Sequence, residues 1–310
     1  MTHRLLVSAA LLTAVGCGIE RAYPPPIQTA GEASAIAAYP VHADFGDYWY
    51  QGKAEITSYN LEQPRYGETR PGKSVLIFVT EGFSRTKHVK LDDYASAGND
   101  NITVLKLNRT RNFTTGIYPY SMMSSVFTPV SGNRNPHSLK VTTSSQEWCG
   151  HTFVQFDLEG NTFRVQHHSY FESNADQTVD LGRAILEDEI WTKIRINPAV
   201  LPVGEIQVIA GTLYQRLSHN AYTVERARAS LEPVGDHESA YTLSYENRNR
   251  VLTIRFEADF PHRISGWEET YGSADSPVTT RATRDKSMLL DYWTRNSLAD
   301  AALRTELNLD

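Results

Sequence analysis

The chain has 310 residues, 40% of them hydrophobic and 21% charged, enough for one large domain or two small ones. Its net charge of -6 leaves no basic footprint for a nucleic-acid partner. With 2 cysteines there is no disulfide framework to hold the fold.

The N-terminus carries His3 and Arg4, then an uncharged, mainly apolar stretch from Leu5 to Val15, then Gly16 and Cys17. That is the layout of a secretory signal, and the stretch is too short to span a hydrocarbon core of roughly 30 Å. Ala14, Val15 and Gly16 directly before Cys17 resemble a lipobox. The expectation is cleavage after residue 16 and acylation of Cys17 by palmitate-like chains. Gly18, in place of an aspartate, points to the outer membrane with the body facing the periplasm. From 17 to 40 the chain is rich in Ala and Pro, including Pro24, Pro25 and Pro26, and reads as a flexible tether. Residues 41 to 310 then form a single β-rich domain. With Cys17 lipidated, Cys149 has no partner for a disulfide.

From Tyr48 to Phe171 β-branched and aromatic segments alternate with Gly, Pro and Asn clusters. Val75 to Thr80, Ile102 to Leu107, Leu139 to Thr143, Phe153 to Phe156 and Phe163 to Val165 are predicted strands. Gly67 to Ser74 matches the P-loop spacing letter for letter. A working P-loop follows a buried strand and opens a helix whose amides hold phosphate. Here the preceding residues are polar and Val75 to Val79 is a strand pattern. The segment therefore predicts a hairpin turn at Pro71 and Gly72, and no nucleotide. Gly116 to Met123 is rich in aromatic and soft apolar residues, which makes Tyr118, Tyr120, Met122 and Met123 candidate ligand-binding residues, with core filling as the competing reading.

Glu147 to Asp157 and Phe163 to Glu172 predict an antiparallel hairpin with a two-residue loop at Glu159-Gly160 or Gly160-Asn161. Either register puts Trp148, Val154, Phe156, Phe163, Val165 and Phe171 on one face. The other face then carries Glu147, Cys149, His151, Phe153, Gln155, Arg164, Gln166, His168, Tyr170 and Glu172. Cys149, His151, His168 and Glu172 are thus the candidate catalytic set, as a thiolate with its general base or as zinc ligands. The simpler reading is a structural cysteine beside histidines on a polar face. No metal or cofactor is expected from any other motif.

Gly182 to Asn197 predicts a mid-chain helix, with Leu186, Ile190 and Ile194 at every fourth position, ended by Asn197 and Pro198. The acid groups Glu187 to Glu189, and Glu268 with Glu269, read as solvated surface. Glu205 to Ile209 is a strand. Tyr241, Leu243 and Tyr245 alternate against Leu252, Ile254 and Phe256 around Asn247 to Asn249, a hairpin, and His262 to Tyr271 continues the meander. Lys286 to Leu307 predicts a C-terminal helical segment.

On Arg65 to Glu81, Phe113 to Val130, Ser144 to Phe153, His168 to Ser173 and Leu186 to Pro198 the chain resembles lipoproteins of Bacteroidetes-type bacteria that often carry the label "septum formation inhibitor Maf". The nucleotide pyrophosphatases of that name have a Ser-x-Ser-x-Arg-Arg signature, and this chain contains no Arg-Arg pair. The resemblance therefore implies an envelope lipoprotein and carries over no activity. Together these readings predict a mainly β fold, an antiparallel barrel or strongly curved sheet with one mid-chain helix. The expected function is a non-catalytic envelope lipoprotein that binds a lipid-like ligand or a protein partner; the alternative is a hydrolase-type enzyme at the Cys149 face. The expected partners are the membrane, through the lipid anchor, and a lipid or envelope protein.

Overall fold

The computed structural model describes residues 41–130 and 137–310. The expected signal peptide (1–16), Cys17 and the tether (17–40) lie outside the described residues. A short helix, α1 (Phe45–Trp49), precedes an eight-strand meander: β1 (Ala54–Arg65), β2 (Glu68–Ser84), β3 (Asn101–Thr115), β4 (Tyr118–Pro129), β5 (Lys140–Glu147), β6 (Gly150–Glu159), β7 (Thr162–Ser169) and β8 (Gln177–Gly182). The chain then turns into β9 (Ile185–Leu186), α2 (Glu187–Ile196), β10 (Gly204–Ile209) and α3 (Thr212–Ser218). A second meander follows, β11 (Val224–Val234), β12 (Glu238–Tyr245), β13 (Arg250–Glu257), β14 (Ile264–Ser273) and β15 (Ser276–Leu290), and the chain ends in α4 (Ala302–Glu306).

All these strands belong to one 15-stranded sheet in the order β8-β7-β6-β5-β4-β3-β2-β1-β15-β14-β13-β12-β11-β10-β9. The first and last strands of the body, β1 and β15, pair at its middle, while β8 and β9, adjacent in sequence, form its two edges. The sheet is strongly curved but not closed. Its pairs are antiparallel except β9 with β10, which is what short turns between successive strands dictate.

The curvature is visible in what α2 touches. Every one of its 10 residues is buried, although Glu187, Asp188, Glu189, Lys193 and Arg195 are charged. Trp191 packs edge-on against Trp267 of β14, 5.1 Å between centroids. Thr192 shares a hydrogen bond with Thr128 of β4 at 2.5 Å. Arg195 pairs with Glu55 of β1 at 2.6 and 2.7 Å, and its guanidinium lies 4.6 Å from the Phe78 ring of β2. Strands from both halves of the sheet thus meet one helix, which fills the concave face.

A helix surrounded in this way has no solvated side, so each charge needs an opposite charge from the wall or from the helix itself. Glu187 takes Arg250 of β13, which also holds Glu269 of β14. Asp188 takes Arg109 of β3 at 3.1 Å. Glu189 accepts from Lys193 at 2.8 Å and from the Ser138 amide, with the His137 ring nitrogen at 2.9 Å. The expectation that Glu187 to Glu189 and Glu269 are solvated is thereby corrected: they are buried counter-charges, and only Glu268 keeps to the outside.

Other boundaries shift for local reasons. The predicted helix at 182 starts instead at Glu187, because Gly182 ends β8 and Ile185–Leu186 is paired to β10; its end at Asn197 stands. Pro71 and Gly72 are not turn residues. They pair with Glu62 and Leu61 inside β2, and the turn is Tyr66-Gly67, both with positive φ (55° and 78°), as a two-residue hairpin loop requires. The order of turn then strand, which argues against a phosphate loop, is as expected. At the C-terminus Lys286 to Leu290 completes β15, and only 302–306 is α-helical.

The β6–β7 hairpin has the expected parity, Phe153 opposite His168 and Val154 opposite His167, around a Gly160-Asn161 loop. Val154, Phe156, Phe163 and Val165 are buried as predicted. The parity does not extend back past Gly150, because Trp148-Cys149 is itself the loop between β5 and β6. Glu147 therefore follows the β5 alternation and points inward, and Trp148 is exposed, the reverse of the expected faces.

Candidate functional site: an aromatic rim at one end of the sheet

In a meander, alternate turns share an end. The β1–β2, β3–β4 and β5–β6 loops and the segment after β7 all lie at the end of the sheet where α3 sits. Each exposes a large apolar residue: Tyr66 (60% exposed), Ile117 (81%), Trp148 (68%) and Tyr170 (74%). A side chain of this size gains nothing by facing water, and each could have been polar at a turn without cost to the fold.

The rim residues are organised, not scattered. The Tyr66 and Tyr120 hydroxyls lie 2.9 Å apart, with that of Tyr118 3.5 Å from Tyr66. The Tyr118 ring is 6.2 Å from Trp148 and 5.9 Å from Tyr120, which stacks on Phe113 at 4.7 Å. Gly150 continues the surface: a side chain there would collide with Tyr170 and Phe171. Arg65 lies over the Tyr66 ring at 4.6 Å and donates to the Leu217 carbonyl at 2.8 Å, tying the rim to α3. Tyr66 holds this place in the left-handed region, a conformation that a non-glycine residue adopts at a cost of order 1 kcal/mol. Beside it an open groove of about 480 Å³ runs between Tyr66, Leu217, Tyr271 and Arg281.

The predicted ligand-binding residues divide across the strand. Tyr118 is half-buried, Tyr120 and Met122 are buried against Leu213 and Leu217 of α3, and Met123 is exposed on the outer face. Core filling describes Tyr120 and Met122; Tyr118 belongs to the rim. The signal that sequence reasoning missed was the turn itself, since Ile117, Trp148 and Tyr170 stand out only once the loops are known to share an end.

The predicted Cys/His set is not drawn together. Cys149 is exposed in the β5–β6 loop, and His151 is exposed on the outer face of β6. His168 is exposed on β7, with its imidazole 3.4 Å from Asp176, and Glu172 lies in an exposed turn. Among the described residues no group of three His, Cys, Asp or Glu side chains is placed to hold a metal ion. The Cys149 amide donates to Glu147 Oε2 at 2.6 Å, and the hydrogen bond and negative charge of Glu147 push the thiol above its ordinary range. A raised thiol holds less thiolate at neutral pH. Cys149 should therefore alkylate more slowly than glutathione near pH 7, and Glu147→Gln should narrow the gap. Iodoacetamide rates against pH check this; a rate above that of the free thiol would contradict it.

No family model, no curated protein and no solved structure matches this chain, so the functional reading rests on the geometry of the rim and what packs beneath it.

Proposed function

We propose that the protein is a non-catalytic envelope lipoprotein, anchored through an acylated Cys17, that binds a partner protein with its aromatic rim. The observation that carries this reading is the clustering of Tyr66, Ile117, Trp148 and Tyr170 at one end, since exposed aromatic residues backed by a rigid scaffold are the usual anchors of protein interfaces. The alternative, a lipid held in the concave face, is less favoured because α2 and α3 occupy that face and bury Tyr120 and Met122.

The attachment point supports the same choice. The described chain enters at Val41, where His42 stacks on Phe260 at 4.5 Å, beyond the end of β13 that lies opposite the rim. An anchor at Cys17 then joins the described body at the end opposite the rim. No helix among the described residues is long and apolar enough to cross a membrane, so this reading assigns the membrane contact to the lipid.

A photo-crosslinking residue placed at Ile117 or Trp148 in the intact lipoprotein should give a discrete protein adduct in cells. One placed at Val203, exposed at the opposite end, should not. Cys17→Ser should release the protein from the membrane fraction and weaken the adduct. Adducts to lipid alone, or equal labelling at all three positions, would overturn the proposal.

A further inference from the structure

Between the inner faces of β6 and β7 and the C-terminal end of α3 lies a second, smaller space, lined by His167, Gln215, Arg216, His219 and Asn220 among others. Its volume is about 20 Å³. A single water needs roughly 10–15 Å³, so the space takes one or two oxygen-sized atoms, the head of a small group rather than a whole molecule. Among the described residues no acidic side chain lines it.

The side chains around it are left with hydrogen-bonding capacity that the protein does not use. Arg216 is 7% exposed, yet its Nε and Nη1 have no hydrogen-bond partner among the described residues, and the same is true of Gln215 Oε1 and His167 Nδ1. Buried polar groups without partners are rare and costly, and here four atoms from three neighbouring residues share the condition. Charge is also out of balance. Among the described residues Arg216 meets the Glu147 carboxylate at 3.6 Å, and Arg65, which acts on Arg216 electrostatically, is held by a carbonyl and tyrosine hydroxyls and by no carboxylate. By contrast Arg109, Arg195 and Arg250 have carboxylate oxygens at 3.1, 2.6 and 2.5 Å. The arginine is kept in place by stacking on Phe171, 5.0 Å from the ring, rather than by a full complement of bonds.

We infer that this space is a binding site for a small anion of carboxylate size, held by Arg216 with the imidazoles of His167 and His219 at its margin. A carboxylate supplies acceptors for the two unused guanidinium nitrogens and the negative charge that the wall lacks. A neutral His167 can donate its ring proton to the same group. Gln215, whose oxygen cannot donate, marks the side from which a carboxylate could be built in. The inference does not depend on the rim: the rim can bind a partner whether or not this site is filled.

The test is a titration of the purified protein with sodium acetate, read by the melting temperature and by the Arg216 Nε–H resonance, against sodium chloride at equal ionic strength and against inorganic phosphate. Acetate should raise the melting temperature and move the resonance saturably; chloride and the bulkier phosphate should be at least tenfold weaker. Arg216→Gln should abolish the response. Because that variant may be poorly folded, Gln215→Glu serves as the second arm. It supplies the carboxylate internally in exchange for the 3.3 Å hydrogen bond from Gln215 Nε2 to the Ala221 carbonyl, so it should keep a native spectrum and lose the acetate response. Equal effects of acetate and chloride, a response that survives in Gln215→Glu, or no saturable response because a water fills the space, would each overturn the inference.

Discussion

Replacing Arg250 with Met is expected to lower the free energy of unfolding by about 3–5 kcal/mol, the usual consequence of leaving a buried charge without its partner. Glu187 would keep the Tyr245 hydroxyl and Glu269 the Arg111 guanidinium at 3.7 Å, neither of which replaces the bonds lost. Arg250 donates to Glu187 from Nη1 at 2.5 Å and Nη2 at 2.8 Å, and to Glu269 from Nη2 at 2.6 Å, all buried. Its guanidinium also lies 3.9 Å from the Tyr214 ring and 4.6 Å from that of Tyr245, whose hydroxyl donates to Glu187. One residue therefore joins α2, α3, β12, β13 and β14. A domain is typically stable by only about 5–15 kcal/mol, so the variant should be marginal. Urea unfolding measures it, with Arg228→Met as the control: that arginine and Glu205 are both exposed, and the change should stay within about 0.5 kcal/mol. A cost below about 1 kcal/mol for Arg250→Met would contradict the packing described for α2.

The second large effect is acid unfolding. Burial opposes the charged forms of Glu55, Glu187 and Glu189, but Arg195, Arg250 and Lys193 respectively more than offset it, so all three carboxyls sit below the ordinary glutamate value of 4.5. A depressed carboxyl contributes stability that is fully present above its unfolded pKa and lost as pH falls through the folded one. Stability should therefore drop steeply below about pH 4.5, as one cooperative transition because the three glutamates serve one core. Asp188 has the opposite sign. Its burial outweighs the attraction of Arg109, which is itself lowered by burial, so Asp188 sits above its ordinary 3.8 and costs stability once it ionises. Asp188→Asn should accordingly cost less at neutral pH than Glu187→Gln. Circular dichroism of acid titrations on the three proteins distinguishes these; a Glu187→Gln variant as stable as the parent at pH 7 would contradict the assignment.

Strand parity was legible wherever apolar residues alternate. Tyr241, Leu243, Leu252 and Ile254 pair in the register their pattern requires. The interior of the sheet was not, because its charges were read locally. Leu186, Ile190 and Ile194 form one apolar stripe, which ordinarily means that the remaining faces of a helix are wet. Here the wall closes on all of them. The missed signal was on the strands: Arg109 and Arg111 share the parity of Leu107 and Phe113, and Arg250 shares that of Leu252 and Ile254. A charge on a buried parity demands a counter-charge: Asp188 and Glu187 supply it for Arg109 and Arg250, and Glu269 for Arg111. Which acid meets which arginine is set by contacts 63 and 79 residues apart, and a single chain read in order does not contain that information.

The rim was hidden for a related reason. Ile117 follows Gly116 in the β3–β4 turn, but in the sequence it sits in one aromatic and apolar run, and Trp148 reads as part of a strand because the aromatic and β-branched residues beyond it continue the pattern. Only the pairing of Glu147 with Gly150 makes Trp148 a loop residue. The same displaced boundary put Cys149 on that face; His151 and His168 do share the outer face of the hairpin.

The claim on which the functional reading depends is that α2 is a permanent filling of the concave face, so that the protein binds with its rim and not with its interior. Native-state hydrogen exchange of the α2 amides tests this most directly. They should exchange only through global unfolding, with a free energy equal to that from urea and unchanged by added lipid. Exchange of Ile190 to Ile196 on the timescale of the edge strand β8 would show an interior that opens, and would return the concave face to consideration as the binding site.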